Sequence, residues 1–190
     1  MPESDLDAAK QTLLAELREH SLVIGEVTLS SGAQAQYYVD ARRALLRPAG
    51  FRAAGELIAA AATDAEATAV GGPVMAAIPL ACAAIAVPGG EGLLGFFVRK
   101  ERKEHGLQRW VEGAVAPGAR CLVVEDTVTT GGSTAGAIER IREEGLEVAG
   151  VLAVVDRLAG GGEAIEAAAE APYRALVTID ELYPDRPDRD

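Results

Sequence analysis

Residues 121 to 125 read CLVVE, an apolar run with no polar alternation before its last residue. Such a run suits a strand buried on both faces, as in a parallel sheet covered by helices. It leads into Asp126, then into the hydroxyl- and glycine-rich stretch Thr127-Val128-Thr129-Thr130-Gly131-Gly132-Ser133-Thr134, and then into helical spacing over 132–144 that Gly145 stops. Strand, acidic pair, turn and helix in that order place the acidic pair and the turn at the carboxyl edge of a sheet. Open α/β sheets bind their ligands at that edge.

The rest of the chain has the same rhythm. From residue 48 onward, strand patterns at 67–71, 93–98, 111–115, 148–155 and 174–179 alternate with helical patterns at 48–62, 78–87 and 163–169. This alternation predicts an α/β fold around a parallel sheet. The first forty-odd residues break it. Leu6, Ala9, Leu13, Leu14 and Leu17 share one face of a helix over 5–20, with Ser4 or Asp5 as its cap. Two short strands follow at 26–30 and 36–40, joined by a turn over 30–34, and they predict a hairpin appendage. The expected organisation is one domain of 190 residues: an N-terminal helix and hood over about 1–45, a core over about 46–180, and a frayed polar tail over 181–190.

A formal charge of -11 argues against a nucleic-acid or anionic-membrane surface. The longest apolar stretch, 74–88, is too short to span a bilayer. The acidic start MPESDLDAAK does not read as a signal peptide, so a soluble cytoplasmic protein is expected. Cys82 and Cys121 lie in separate apolar runs and read, like Met75, as core side chains. His20 reads as a helix C-terminal cap.

Against that acidic background, residues 96 to 106 read FFVRKERKEHG. The chain has three lysines, Lys10, Lys100 and Lys103, and two of them fall in this stretch beside Arg99, Arg102 and His105. Scarce positive charge concentrated in one loop points to an anionic ligand; a solvated charged loop with local Glu pairs is the plainer alternative.

The turn after strand 121–125 suggests what the anion carries. Free N–H groups at a helix mouth, backed by hydroxyls and glycines, suit a phosphate. The Glu125-Asp126 pair cannot hold that phosphate; sugar hydroxyls or a metal ion are its fitting partners. Phosphate cradle and diol acceptors side by side suggest a ribose 5-phosphate. An ordinary capped helix start beside a solvated acidic pair is the alternative. Neither GxxxxGK[ST] nor GxGxxG is present, which argues against a Walker loop and a dinucleotide site.

CLVVEDTVTTGGST resembles the phosphoribosyl pyrophosphate (PRPP) signature of type I phosphoribosyltransferases. Within that family, RKERKEHG and TLSSGAQAQYYVDAR (residues 28–42) resemble segments of the orotate phosphoribosyltransferases. Gly71-Gly-Pro-Val-Met-Ala-Ala-Ile-Pro-Leu-Ala is similar to their pyrophosphate-side loop, and Val154-Val-Asp-Arg to their late strand ending in arginine. The segments stand in family order. Ser30 and Ala76 stand where family members carry lysine, Ala77 where many have glycine, and Glu125 where many have aspartate.

The resemblance implies the type I phosphoribosyltransferase fold: a mainly parallel sheet flanked by helices, with an N-terminal hood. It implies transfer of the phosphoribosyl group from PRPP to orotate, giving orotidine 5'-monophosphate and pyrophosphate in pyrimidine biosynthesis. Mg²⁺ would be held through substrate and water, with Glu125 and Asp126 as candidate contacts. Arg99, Lys100, Lys103 and His105 would contact phosphate and pyrophosphate, Lys103 or His105 donating a proton to the leaving group. Glu125 and Asp126 would accept the ribose hydroxyls, Asp126 also lying near the anomeric carbon. The segment from Thr127 through Val128, Thr129, Thr130, Gly131, Gly132 and Ser133 to Thr134 would line the PRPP site. Tyr38, Thr129 and Arg157 would meet orotate. A homodimer with shared active sites is implied, the basic loop reaching the neighbouring subunit. The competing readings are a purine-base transferase, which YYVDAR and the basic loop disfavour, and a non-catalytic regulator on the same fold. The regulator would want a DNA-binding stretch, and none is visible; the length leaves no room for a fused second enzyme.

Overall fold

A computed structural model describes residues 3–28, 34–102 and 109–189. Glu3–His20 form helix α1, which buries Ala9, Leu13, Leu14 and Leu17 and leaves Leu6 half-covered. The helix begins at Glu3, so Ser4 and Asp5 lie in its first turn and are not its caps; acidic residues there still suit the positive end of the dipole. Leu22–Thr28 (β1) and Gln34–Val39 (β2) pair antiparallel as a separate two-stranded sheet. The turn expected between them, with Ser30, lies outside the described residues. A one-turn helix at Arg42–Leu45 (α2), which the sequence pattern did not indicate, links this hairpin to α3, Pro48–Asp64. Pro48 opens α3, where the missing N–H costs nothing.

The main sheet has six strands in the order β5-β4-β3-β6-β7-β8. They are β3 (Ala69–Pro73), β4 (Leu94–Val98), β5 (Val111–Gly113), β6 (Arg120–Val128), β7 (Glu147–Asp156) and β8 (Tyr173–Thr178). All neighbours run parallel except β4 and β5, whose pairing is antiparallel. β6 is buried from Cys121 to Glu125 and β7 from Gly150 to Asp156, as the apolar runs within them require. Helices α4 (Ala77–Ile85), α5 (Gly132–Glu143) and α6 (Gly161–Ala169) complete the crossovers, and a one-turn helix α7 (Ile179–Leu182) closes the core. One cluster, from Leu13 and Leu17 to Leu122 and Leu152, lies on the α1–α3 side; another, around Phe96, Val123, Ile138 and Ile165, lies beneath α5 and α6.

Several expectations are corrected. Strand β6 does not end at Glu125 but continues to Val128, because Thr127 and Val128 pair with Val155 and Asp156. The acidic pair therefore sits inside a strand, and its two side chains point to opposite faces. Cys121 is buried, its thiol pushed up to about 12 by burial, whereas Cys82 is exposed. Met75 is 72% exposed and is not a core residue. Helix α4 is apolar all round, so its sequence could not say which face turns inward; Leu80, Ala81 and Ala84 do. The tail is not loose. Arg186 pairs with Asp180 and Asp188, and Tyr183 packs edge-on against Tyr37. His20 does stand in the last turn of α1, where its ring faces Glu16 and Glu19 at 3.9 and 3.7 Å.

Candidate active site

The carboxyl ends of β6 and β7 frame the site, with the end of β2 beside them. Arg157 follows β7 directly, and its backbone N–H donates to the Val128 carbonyl at 2.9 Å, so both strands end together. A cavity of about 190 Å³ is lined by Glu125 and by Thr127 through Thr134. Gly131 has φ 78° and leads into α5, and no side chain caps that helix. The N–H groups of its first turn thus face the cavity without a side-chain partner, an arrangement that attracts an anion. Thr129 and Thr130 are exposed toward it, and Thr134 is buried. Val128 reaches this cavity with only part of its surface, since its side chain is 2% exposed and belongs to the core.

Glu125 and Asp126 divide two environments. The Thr134 hydroxyl donates to Glu125 Oε2 at 3.0 Å, and the Asp126 N–H to Oε1 at 3.3 Å. Burial, reinforced by the charge of Asp126, raises the Glu125 carboxyl from 4.5 to about 7. Asp126 is also raised by burial, against the pull of the Thr127 N–H, which donates to its Oδ1 at 2.7 Å. On its side lies a second cavity of about 300 Å³, lined by Tyr38, Asp40, Arg42, Asp126, Thr127, Thr129 and Arg157, with Val39. The two cavities share Thr127 and Thr129. The Thr127 hydroxyl and the Arg157 Nε, both of residues lining this cavity, are buried and have no partner among the described residues; the same holds for Trp110 Nε1, outside it. The Arg157 guanidinium lies over the Tyr37 ring, 5.3 Å from its centroid.

Asp40 and Arg42 line this cavity although sequence reasoning did not single them out. Arg42 Nε lies 2.9 Å from Asp40 Oδ1 and 3.9 Å from Asp126 Oδ2, and the pairing with Asp40 holds its guanidinium firmly protonated. The signal was present in the charged pair flanking Ala41 at the end of the YYVDAR segment. What was missing was the fold that brings it beside Asp126.

The basic stretch begins at the end of β4. The Arg99 N–H donates to the Trp110 carbonyl at 2.9 Å, tying the two ends of the segment together. Arg99 also pairs with Glu112 at 3.6 Å, and Lys100 is exposed. Arg102 and Arg140 both lie over the Trp110 ring, their guanidinium carbons 5.5 and 4.4 Å from its centroid. Arg140 also donates to the Arg99 carbonyl at 3.0 Å. Lys103 and His105 lie outside the described residues. Across β3, the segment from Val74 to Ala76 leads into α4, and the Val74 N–H donates to the Val98 carbonyl at 3.0 Å. The peptide bond between Val74 and Met75 is cis. Among the described residues, no group of three or more His, Cys, Asp or Glu could hold a metal ion. None of the described helices is long and apolar enough to cross a membrane.

A family model described as "Phosphoribosyl transferase domain" matches residues 42–170. The orotate phosphoribosyltransferase of Streptomyces avermitilis is 46% identical over 179 residues, covering 93% of this chain and 98% of the relative. That of Corynebacterium glutamicum is 46% identical over 183 residues, covering 96% and 98%. Among solved structures, the Mycobacterium tuberculosis H37Rv orotate phosphoribosyltransferase in complex with Fe(III) dicitrate superposes with a TM-score of 0.83 at 42% identity, covering 92% of this chain and 99% of that one. The same enzyme in complex with PRPP gives 0.79 at 38% identity, with 92% and 98% covered.

Proposed function

The chain belongs to the orotate phosphoribosyltransferases of the phosphoribosyl transferase domain family, and on that premise we propose how its residues divide the work. The reaction is transfer of the 5-phosphoribosyl group from PRPP to orotate, giving orotidine 5'-monophosphate and pyrophosphate, a step of pyrimidine biosynthesis. One observation carries the assignment of the site. The anion cradle and the base-sized cavity are contiguous through Thr127 and Thr129, so a sugar phosphate in one presents its anomeric carbon to the other.

In this reading the 5-phosphate lies on the N–H groups and hydroxyls of Thr129 to Thr134. Glu125 approaches the ribose from the cradle side and Asp126 from the base side, each accepting a hydroxyl. Arg157 forks onto the carboxylate and carbonyl edge of orotate, and the free Arg157 Nε supports this. Tyr38 flanks the pyrimidine. The bond from C1 to pyrophosphate breaks with little help from the nucleophile, so the sugar acquires oxocarbenium character. The main task is then stabilising charge on the departing pyrophosphate. Arg99, Lys100 and Lys103 supply that charge, and Lys103 or His105 the proton. Arg42, 3.9 Å from Asp126, opposes in part the burial that raises that carboxyl and helps orient it.

Mg²⁺ fits this donor set. Glu125 and Asp126 face opposite sides of β6, so one of them would hold an ion that takes few protein carboxylates and completes its shell with substrate oxygens and water. When bound, it would neutralise charge on the pyrophosphate oxygens.

The unit of function is a homodimer in a cytoplasmic setting, each subunit lending its basic loop to the other's site. Residues 1–190 form one domain: a hood and N-terminal helix to about 45, a core to about 180, and a short tail. An exposed apolar row on and beside α4, namely Met75, Ile78, Cys82 and Ile85, supports the dimer, because a row of that kind calls for a covering surface. The test of the function is a substrate panel of orotate, adenine and xanthine with PRPP and Mg²⁺, the products identified by mass. Orotidine 5'-monophosphate is expected from orotate alone; turnover of a purine base without turnover of orotate would refute the reading.

A further inference from the structure

The residue beneath Arg157 is itself held from the far end of the chain. Tyr37, in β2, is 4% exposed, and its ring carries the Arg157 guanidinium. Its hydroxyl donates to Asp188 Oδ2 at 3.0 Å across 151 positions of sequence. The Tyr183 ring meets the Tyr37 ring edge-on, with centroids 5.5 Å apart and planes at 83°. Asp188 is fixed in turn: Arg186 Nε lies 3.1 Å from Asp188 Oδ1, and the other end of that guanidinium pairs with Asp180. Asp180 belongs to α7, whose start is closed by the reciprocal Thr178–Glu181 capping box. Lys10 and Arg18 of α1 hold Glu181, the one at its carboxylate (2.9 Å) and the other at its backbone carbonyl (2.6 Å).

A cation over an aromatic face holds its place only as well as the ring beneath it is held. A phenol with one edge packed and its hydroxyl bonded to a fixed carboxylate cannot rotate or slide. A planar guanidinium reading a planar carboxylate has to be set to within a fraction of an ångström and a few tens of degrees. We infer that the C-terminal segment 183–188 is a specificity-determining buttress of the base pocket, in which Asp188 and Tyr183 lock Tyr37 so that Tyr37 presents Arg157 to the planar, anionic base. Tyr37, Tyr183 and Asp188 are positioning residues; none of them lines the cavity. The inference rests on the reading above that Arg157 faces orotate.

The experiment compares wild type, Asp188→Ala, Tyr37→Phe and the double variant by steady-state kinetics with each substrate varied in turn. Tyr37→Phe keeps the ring under Arg157 and the edge contact with Tyr183 and removes only the hydroxyl. The KM for orotate is expected to rise about tenfold in each single variant, equivalent to ~1.4 kcal/mol. KM for PRPP should stay within about twofold of wild type, because the cradle shares none of these contacts. The double variant should be no worse than either single one, since both cut the same bond. A tail that merely stabilises the fold would lower the melting temperature or move both KM values together, and either pattern without a selective rise in the orotate KM overturns the inference. If wild type itself does not consume orotate, the functional reading fails. If wild type consumes it and the variants keep its KM, the buttress alone fails.

Discussion

The Thr134 hydroxyl donates to Glu125 Oε2 at 3.0 Å and so joins the first turn of α5 to the acidic pair of β6. That bond favours the ionised carboxylate, but burial and the neighbouring Asp126 outweigh it and lift the group to about 7. The sign of the stability effect follows. A carboxyl whose folded value lies above its unfolded 4.5 binds a proton more tightly when folded. Its burial costs nothing below about pH 4.5, costs increasingly as pH rises, and costs up to about 3 kcal/mol above pH 7. Glu125→Gln should therefore raise the melting temperature at pH 8 and have little effect at pH 4.5. Ribose hydroxyls donating to Glu125 would favour its ionised form, so PRPP should bind more tightly at pH 8 than at pH 6 by a larger factor in wild type than in Glu125→Gln. Equal pH dependence in both proteins would contradict a ribose contact at Glu125.

Gly131 is required where it stands. Its φ is 78°, and a Cβ there would lie 2.7 Å from the Gly161 carbonyl oxygen and 2.9 Å from Ile165 Cγ1. Gly131→Ala should cost about 1–2 kcal/mol from the left-handed backbone alone, and more from the clash, shifting the cradle against α6. We expect PRPP affinity to fall at least tenfold. Retained affinity, measured by calorimetry on the folded variant, would mean that the cradle tolerates displacement and does not bind phosphate by close backbone approach.

Trp110 reports on the basic segment from its base. Arg102 and Arg140 both lie over the indole, and Arg140 also donates to the Arg99 carbonyl. Arg140→Leu should lower stability by about 1–2 kcal/mol through the lost cation–π contact and hydrogen bond, with a visible shift in tryptophan emission. In wild type, PRPP with Mg²⁺ should alter that emission. A flat signal at saturating substrate would place Trp110 outside whatever the substrate rearranges.

Lys103→Ala should reduce turnover by at least ~100-fold, the usual loss for one transition-state donor. Mixing Lys103→Ala with Asp126→Asn protein should restore part of the activity if subunits share sites. Verified heterodimers that stay inactive would argue for sites complete within one chain.

The sequence made the cradle and the acidic pair legible because their residues are contiguous, from Glu125 to Thr134, on one strand–turn–helix unit. It made the α/β alternation legible because β6 and β7 each carry a long apolar run, Cys121–Val124 and Val148–Val155. It did not reveal that Arg42 meets Asp126 or that Asp188 meets Tyr37, since those contacts depend on topology that no local pattern encodes. The tail YPDRPDRD is polar in composition, yet its charges find fixed partners in Asp180 and Tyr37. Met75 and Cys82 misled for a different reason. An apolar side chain reads as core, and α4, apolar on every face, gives no amphipathic signal to say which of its residues face outward.

In the proposed site a single cleft holds the base against Arg157 and the sugar phosphate against Glu125, Asp126 and the glycine turn. Its most direct test is Arg157→Leu, with KM measured for orotate and for PRPP side by side. A rise of at least tenfold is expected for orotate, with PRPP within about twofold, as the loss of one charge-assisted pair requires. An unchanged orotate KM, or an equal rise for both substrates, would contradict it.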